Sequence, residues 1–266
     1  MTQKLPDMRA VTYQQRAETE IRTLLLPAAA LLYIEEGSKH VSSANKSLQI
    51  ASSGEFVFLQ PHSEISVRNT VGPGGHYLAQ GLIFDGQSLS DHLPCNRETA
   101  NEFHCFKAPG EMVEAFTRMR AAVRHADLPE QVRQARFFEL KAWLTRLGIC
   151  LSTRPSYTLA QKLNALLASD LAHPWRGTEV AAQFGMSEAT LRRGLAREGT
   201  NFTEILRESR LQSALERLQT TEQSLSEIAY NTGFSSHSHF TDVFRKRFDF
   251  PPSHLRGRGE AQMIGM

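Results

Sequence analysis

The sequence predicts a two-domain α+β chain: an N-terminal half of short strands closed by two helices, and an all-α C-terminal half built on a duplicated helix-turn-helix. Three observations carry this. The chain has 266 residues, room for two domains rather than one. Between residues 24 and 84, apolar runs of strand length alternate with breaks rich in Gly, Ser and Pro. From Leu159 onward the apolar residues fall at helical spacing, and one short pattern occurs twice.

Composition bounds the rest. Lys plus Arg number 30 against 28 Asp plus Glu, and from Pro155 onward the count is 13 against 12. Any affinity for a polyanion must then come from local placement of cations rather than from net charge. The three cysteines, Cys95, Cys105 and Cys150, stand in no Cys-x-x-Cys spacing. An odd count argues against a disulfide framework and for a reducing compartment. The opening Met-Thr-Gln-Lys-Leu-Pro-Asp has no apolar signal core, and Leu24 to Ile34 is too short to span a membrane. The expectation is a soluble cytoplasmic protein.

Residues 1–20 are polar and contain Pro6, which predicts a flexible arm. The runs Leu24 to Ile34, Ser47 to Ala51, Glu55 to Leu59, Ile65 to Arg68 and Tyr77 to Phe84 read as strands of a sandwich or barrel. Glu36-Gly37, Ser52-Ser53-Gly54 and Gly72-Pro73-Gly74-Gly75 read as the turns between them. His40, His62 and His76 occur singly with no His-x-His, which argues against a metal-dependent enzyme because such a metal needs several converging donors. His92, Cys95, His104 and Cys105 form a small group of possible zinc ligands, but the adjacent pair His104-Cys105 lacks ligand spacing. Buried cysteines in a loop are the alternative.

Two helices follow. Met112 to Ala126 carries Val113, Phe116, Met119, Ala122 and Val123 on one stripe, the face of a helix packed on the strands. From Glu130 to Leu151 the apolar residues spread wider than one stripe, a surface that must be covered on two sides. The first half therefore runs over 21–151, and Ser-Thr-Arg-Pro-Ser within 152–157 is the linker, since Pro155 ends what precedes it. Thr158 through Leu171 is the first helix of a second domain over 158–258, followed by a tail at 259–266. In that helix Leu159, Leu163, Leu166 and Leu167 point inward, and Trp175 after it is core.

Glu179 to Ser187 reads Glu-Val-Ala-Ala-Gln-Phe-Gly-Met-Ser, and Glu227 to Ser235 reads Glu-Ile-Ala-Tyr-Asn-Thr-Gly-Phe-Ser, 48 residues later. Ala181 and Ala229 allow two helices to cross closely, and Gly185 and Gly233 supply the positive φ of a short turn. Ser187 and Ser235 cap the helix that follows. These second helices span about Glu188 to Glu198 and Ser236 to Phe248, with Leu191, Leu195, Phe240, Phe244 and Phe248 inward. Between the motifs, about 17 residues from Thr203 to Gln219 make a helix of about 25 Å, a strut for two helices reading major grooves about 34 Å apart.

Residues 155–258 closely resemble the DNA-binding domain of the AraC/XylS family of bacterial transcription regulators. The resemblance rests on Gly185-Met186-Ser187, Leu191-Arg192-Arg193, Arg210-Leu211 with Ala214 and Leu218, Ile228-Ala229, Gly233-Phe234, His239-Phe240, Phe244-Arg245-Lys246 and Phe248-Asp249-Phe250-Pro251-Pro252, ending at Arg256. Asp249 departs from the family's usual glycine and Asp242 from its usual polar or basic residue. The resemblance implies double-stranded DNA and RNA polymerase as partners, activation more than repression, and no cofactor. It also implies a cupin-like barrel for residues 21–151, controlled by a small molecule, a partner protein or abundance alone, with the helix around 130–151 either a homodimer contact or buried within one chain.

The residues expected over the DNA are Ala189, Arg192 and Arg193 in the first motif and His237, Ser238, His239 and Asp242 in the second. Arginine gives two hydrogen bonds to a guanine edge and alanine touches a thymine methyl. Arg245 and Lys246 are assigned to phosphates. Arg210 is expected to pair with an acid at the domain junction. Lys39, His62, Arg68 and His76 are the cations expected to meet an acidic effector. The rival class is a cupin or alkylation-repair enzyme targeted to DNA, for which Leu93-Pro94-Cys95-Asn96 lacks the activating histidine and zinc partners.

Overall fold

The computed structural model describes residues 5–85, 94–95, 102–125, 127–149, 151–152 and 158–256. The expected tail at 259–266, the linker after Ser152, and His92 and Cys150 lie outside them. The chain divides into two compact units, Met1–Thr153 and Arg154–Met266.

Strands β1 (Asp7–Gln15), β8 (Tyr77–Asp85), β3 (Ala29–Glu36), β6 (Glu55–Leu59) and β10 (Phe103–Lys107) form a five-stranded sheet in the order β1-β8-β3-β6-β10. Strands β2 (Thr19–Leu25), β7 (Glu64–Thr70), β4 (Ser38–Ser42) and β5 (Gln49–Ser52) form a four-stranded sheet in the order β2-β7-β4-β5. A short parallel pair joins β9 (Pro94–Cys95) to β11 (Leu151–Ser152). Every pairing in the two larger sheets is antiparallel.

The expected barrel is not closed: among the described residues no strand pairing joins the two larger sheets. Where β5 and β10 meet, the Cys105 N–H donates to the side chain of Gln49 at 3.0 Å instead of to a strand carbonyl, so a side chain ends the ladder. The expected flexible arm is also corrected, because residues 7–15 pair with β8 along their whole length. The alternation there is real but mild: Met8 and Ala10 pack on one face, Val11 and Tyr13 on the other. The single run expected over Leu24 to Ile34 is two strands, split at Leu26-Pro27-Ala28 and pinned where the Leu26 N–H donates to Ser63 O at 3.0 Å.

The five-stranded sheet is buried on both faces, which is why its strands read as continuous apolar runs. Ala30, Leu32 and Ile34 of β3 face the other sheet, meeting Val41, Ala51, Ile65 and Val67. Ala29 and Leu31 face the helices α1 (Gly110–Arg124) and α2 (Glu130–Arg146), where Met112, Phe116, Phe137, Leu140 and Leu144 close the layer. Arg120 of α1 fastens these layers from within, its guanidinium donating to Gly81 O at 3.2 Å and Val11 O at 2.8 Å. Helix α2 stops at Arg146 rather than Leu151, since Gly148 at φ +71° turns the chain. Its wide apolar spread resolves into a buried side and an exposed Phe138.

The C-terminal unit is helical: α3 (Leu159–Leu167), α4 (Gly177–Gln183), α5 (Glu188–Arg197), α6 (Phe202–Thr220), α7 (Leu225–Asn231), α8 (His237–Phe248) and a 3-10 turn at Pro252–Arg256. Helix α3 ends four residues before the expected Leu171. The Asp170 carboxylate there accepts from the Ala172 and His173 N–H groups at 3.1 Å each, an Asx turn that competes with helix. Trp175 is half-buried rather than central, its indole donating to Asp170 O at 2.6 Å.

The repeated pattern folds the same way twice. Gly185 and Gly233 sit at φ +66° and +81°. The Met186 N–H donates to Ala181 O, and the Phe234 N–H to Ala229 O, both at 2.9 Å. Ser187 caps α5 by accepting from Thr190 N–H at 3.2 Å; at α8 the cap is Ser236, one residue past the expected Ser235, accepting from His239 N–H at 3.2 Å. After α8 the chain reverses at Asp249, which adopts φ +65°. Aspartate tolerates this left-handed conformation and a β-branched residue does not. Asp249→Val is therefore expected to lose about 1–2 kcal/mol in urea unfolding, with Asp249→Gly at least as stable as the parent.

Candidate functional site

Helices α5 and α8 each bury one side and leave the other open. In α5, Leu191 and Leu195 are buried against Val180, Ala181, Leu163 and Leu167. At about 100° per residue, Ala189, Arg192 and Arg193 then share the opposite, exposed face. In α8, Phe240, Phe244 and Phe248 are buried in a ladder of ring contacts, with centroids 5.5 and 4.6 Å apart. Ser238, His239, Asp242, Arg245 and Lys246 share its exposed face. His237, the first residue of α8, is exposed but lies off that stripe, nearer the Phe240 side. Thr190 and Ala196 border the α5 stripe and were missed in the sequence, although their spacing from Arg192 and Arg193 marks them.

The structure separates the basic residues by use. Arg192, Arg193, Arg245 and Lys246 form no ion pair among the described residues; the Arg193 Nε donates only to Ala189 O at 3.3 Å. Arg247, next to Arg245 and Lys246 on α8, turns inward. Its guanidinium makes a forked pair with Glu208 of α6, Nε to Oε2 at 2.8 Å and a terminal nitrogen to Oε1 at 2.8 Å. Arg210 pairs with no acid among the described residues, contrary to expectation. It donates to the carbonyls of Leu171 at 3.0 Å and His173 at 3.1 Å, and burial lowers its pKa from the usual arginine range. A Cβ on Gly233 would stand 2.4 Å from Leu171 O and 2.7 Å from the Arg210 Cζ, so that glycine is needed for space as well as for φ.

In the N-terminal unit the four cations singled out in the sequence do not converge. Arg68 is exposed and pairs with Glu18 at 3.1 Å, and His76 pairs with Glu36 at 2.9 Å in the turn before β8. His62 occupies a left-handed turn position at φ +60°, half-buried, with its pKa lowered by burial. Lys39 alone lies inside. Its ammonium donates to Asn69 Oδ1 at 2.7 Å, Asn69 donates to Gln15 Oε1 at 3.1 Å, and Gln15 donates to Thr19 Oγ at 2.9 Å. The same ammonium stands 5.2 Å from the centre of the Tyr77 ring, and the buried Tyr77 hydroxyl has no hydrogen-bond partner among the described residues. Gln15, in the expected arm, and Asn69, just past an expected strand, carried no signal in the sequence, and Tyr77 none beyond its place in a strand.

Burial pushes Lys39 down to about 7, opposed by the nearby Cys105, and burial pushes the Cys105 thiol up to about 11, opposed by Lys39 and Lys46. Such a thiol is a poor nucleophile. The zinc reading does not survive the register: His104 and Cys105 are consecutive on β10 and point to opposite faces, with His104 stacked on Phe106 at 5.6 Å. Among the described residues no group of three or more His, Cys, Asp or Glu side chains converges as a metal site.

Residues 180–258 match the family of helix-turn-helix domains. The HTH-type transcriptional regulator GadX of Escherichia coli O127:H6 is 25% identical over 196 residues, 68% of this chain and 72% of that protein. The urease operon transcriptional activator of Escherichia coli is 32% identical over 96 residues, 36% of this chain and only 32% of its own length. Apo ToxT of Vibrio cholerae has a similar fold, with a TM-score of 0.65 at 15% identity over 94% of this chain and 97% of that one. A ToxT structure with bound unsaturated fatty acid gives 0.60 at 16% identity over 94% of this chain and 95% of that one. No helix among the described residues is long and apolar enough to cross a membrane.

The buried ammonium has a pH consequence. Between about pH 7 and 10.5 the unfolded chain holds a proton on Lys39 that the folded chain does not, so stability rises with pH through that window; below it both states are charged and the full burial cost remains. Relative to Lys39→Met, the wild-type stability is expected to climb between about pH 7 and 9, by up to about 1.4 kcal/mol per pH unit, read as a rising melting temperature. A constant difference across that range would show that the ammonium is well solvated.

Proposed function

We propose that this chain, which belongs by its DNA-binding domain to the AraC/XylS family of transcription regulators, reads two neighbouring major grooves with two helix-turn-helix motifs and is controlled by a small acidic molecule held in its N-terminal unit. The observation that carries the first part is the duplicated turn, which presents α5 and α8 with their polar stripes outward on either side of α6. Helix α6 has 19 residues, about 28 Å at about 1.5 Å each, close to the separation of about 34 Å between successive major grooves on one face of DNA. Arg192 and Arg193 read guanine edges, Ala189 meets a thymine methyl, and Ser238, His239 and Asp242 read bases from the second motif, with His237 at its edge. Arg245 and Lys246 hold phosphates.

Control through the N-terminal unit is supported by the Lys39 cluster. A buried ammonium held by Asn69, beside a phenol hydroxyl without a hydrogen-bond partner among the described residues, is a place where a carboxylate gains two donors at once. A ToxT structure of the same fold holds an unsaturated fatty acid. His62, Arg68 and His76 are left outside this proposed site. The double sheet is read as an opened cupin-like layer that holds the effector. Val132 and Phe138, exposed on α2, are the proposed homodimer contact. The regulator acts as an activator alongside RNA polymerase in the cytoplasm, a reading supported by the activator names of relatives.

Two measurements test this. Arg192→Ala is expected to cost about 1–3 kcal/mol for the specific site and to relax base choice at one position, read by binding to a panel of single-base operator variants. Equal weakening on every sequence makes Arg192 a phosphate contact instead. Native mass spectrometry of the protein purified without added ligand is expected to give a dimer with a reproducible extra mass, lost in Lys39→Met. An empty chain transfers control to a partner protein or to abundance.

A further inference from the structure

Three consecutive residues of α6 each hold a different element. Glu208 takes the forked guanidinium of Arg247 on α8, at 2.8 to 3.0 Å. Ser209 donates to the Asn164 side chain on α3. Arg210 donates to Leu171 O and His173 O in the connection from α3 to α4. The first reading helix is thus referred to α6 through Ser209 and Arg210, and the second through Glu208. Apolar packing alone leaves a helix some freedom to slide or roll on its neighbour, because the hydrophobic effect is non-directional. A forked charge-assisted pair fixes both distance and orientation.

The Arg247–Glu208 pair is also placed where it cannot serve DNA. Its side chains are only 23% and 27% exposed, and the Arg247 guanidinium lies 5.0 Å from the Phe248 ring, on the packed side of α8. Gln212 of α6 adds a further hydrogen bond to Glu208 at 3.1 Å, so the carboxylate is itself held in place.

We infer that Glu208 and Arg247 are positioning residues for DNA reading, clamping α8 on α6 next to the anchor of the first motif and thereby setting which separation of the two half-sites the chain accepts. This rests on the two-motif reading proposed above. One inserted base pair moves a half-site by about 3.4 Å and rotates it by about 35°. A clamped pair of reading helices resists that change; an unclamped pair yields to it.

The test begins by selecting the preferred operator from randomised duplex DNA with the full wild-type chain. Affinities are then measured for that operator, for versions with one base pair inserted or deleted between the half-sites, and for the half-site of the first motif alone. Glu208→Gln is expected to bind the selected operator about tenfold more weakly while keeping wild-type affinity for the shifted and single-half-site DNAs, so spacing discrimination falls about tenfold. The exchange Glu208→Arg with Arg247→Glu is expected to restore part of it. If Glu208→Gln unfolds, Arg247→Lys, which keeps the charge and loses the fork, is read in the same way. Equal weakening on every DNA, or unchanged spacing discrimination, overturns the inference and leaves the two-motif reading intact. A wild-type chain that selects a single half-site with no spacing preference overturns both.

Discussion

The guanidinium of Arg210 is the interaction on which the C-terminal unit depends. A helix pair with a tight turn can bury only a small apolar face, and each half of this unit is little more than such a pair leaning on α6. Arg210 reaches from α6 to the Leu171 and His173 carbonyls beyond the end of α3, and the turn of the second pair comes close enough that only a glycine fits beside it. Charged donors to carbonyls make stronger bonds than neutral ones, and their loss would leave a half-buried cation without its acceptors. A single side chain therefore joins the first half, the strut and the second half. An acid in the same place would give charge compensation but only one attachment point, whereas the guanidinium fork spans two.

The N-terminal unit solves a different problem. Its five-stranded sheet is covered on both faces, by helices on one and by the four-stranded sheet on the other, so polar groups between the sheets must be satisfied locally. The chain of Lys39, Asn69, Gln15 and Thr19 does this beside Tyr77, whose hydroxyl has no hydrogen-bond partner among the described residues. Buried lysine without an acid is expensive in folding stability, and a sandwich optimised for stability alone would place an aliphatic residue there. The cost is what makes the cluster a candidate for ligand control: an acidic molecule arriving at Lys39 removes an existing penalty, and the fold is stabilised by whatever completes the cluster.

Local signals were legible where chemistry is confined to a few neighbouring residues. The helix turns were readable because glycine, alanine and a capping serine each have one strong local role, and α5 and α8 followed from the spacing of their buried leucines and phenylalanines. Side chains that bond across the fold were not. The direction of Arg247 depends on Glu208, 39 residues earlier, and in the sequence it is one more cation in the run Arg245-Lys246-Arg247. Lys39 and Arg68 both occur on strands, and only the pairing of β4 with β7 and the position of each residue on its face decide which is inside. Strand β1 was hidden because its apolar residues Met8, Ala10, Val11 and Tyr13 are interspersed with Asp7, Arg9, Thr12, Gln14 and Gln15, which reads as an arm until β8 supplies its hydrogen bonds. The absence of barrel closure is likewise a property of two strand edges, set by a glutamine side chain that meets the Cys105 N–H.

The near balance of charge in the C-terminal unit follows from the same division of labour. Five of its acids are spent on the fold. Glu198 accepts from the Leu159 and Ala160 N–H groups at the start of α3, both at 2.8 Å, and Glu227 completes the capping box of α7 with Ser224. Asp170 holds the turn after α3, Glu179 pairs with His173, and Glu208 takes Arg247. Carboxylates at helix starts meet the positive end of the helix dipole, so much of their field is cancelled where it arises. The cations on the open faces of α5 and α8 have no such partners among the described residues. Thirteen basic and twelve acidic residues therefore do not make a neutral surface. They make an internally compensated scaffold and two uncompensated stripes, and a polyanion within a Debye length of about 8 Å responds to the stripes rather than to the sum.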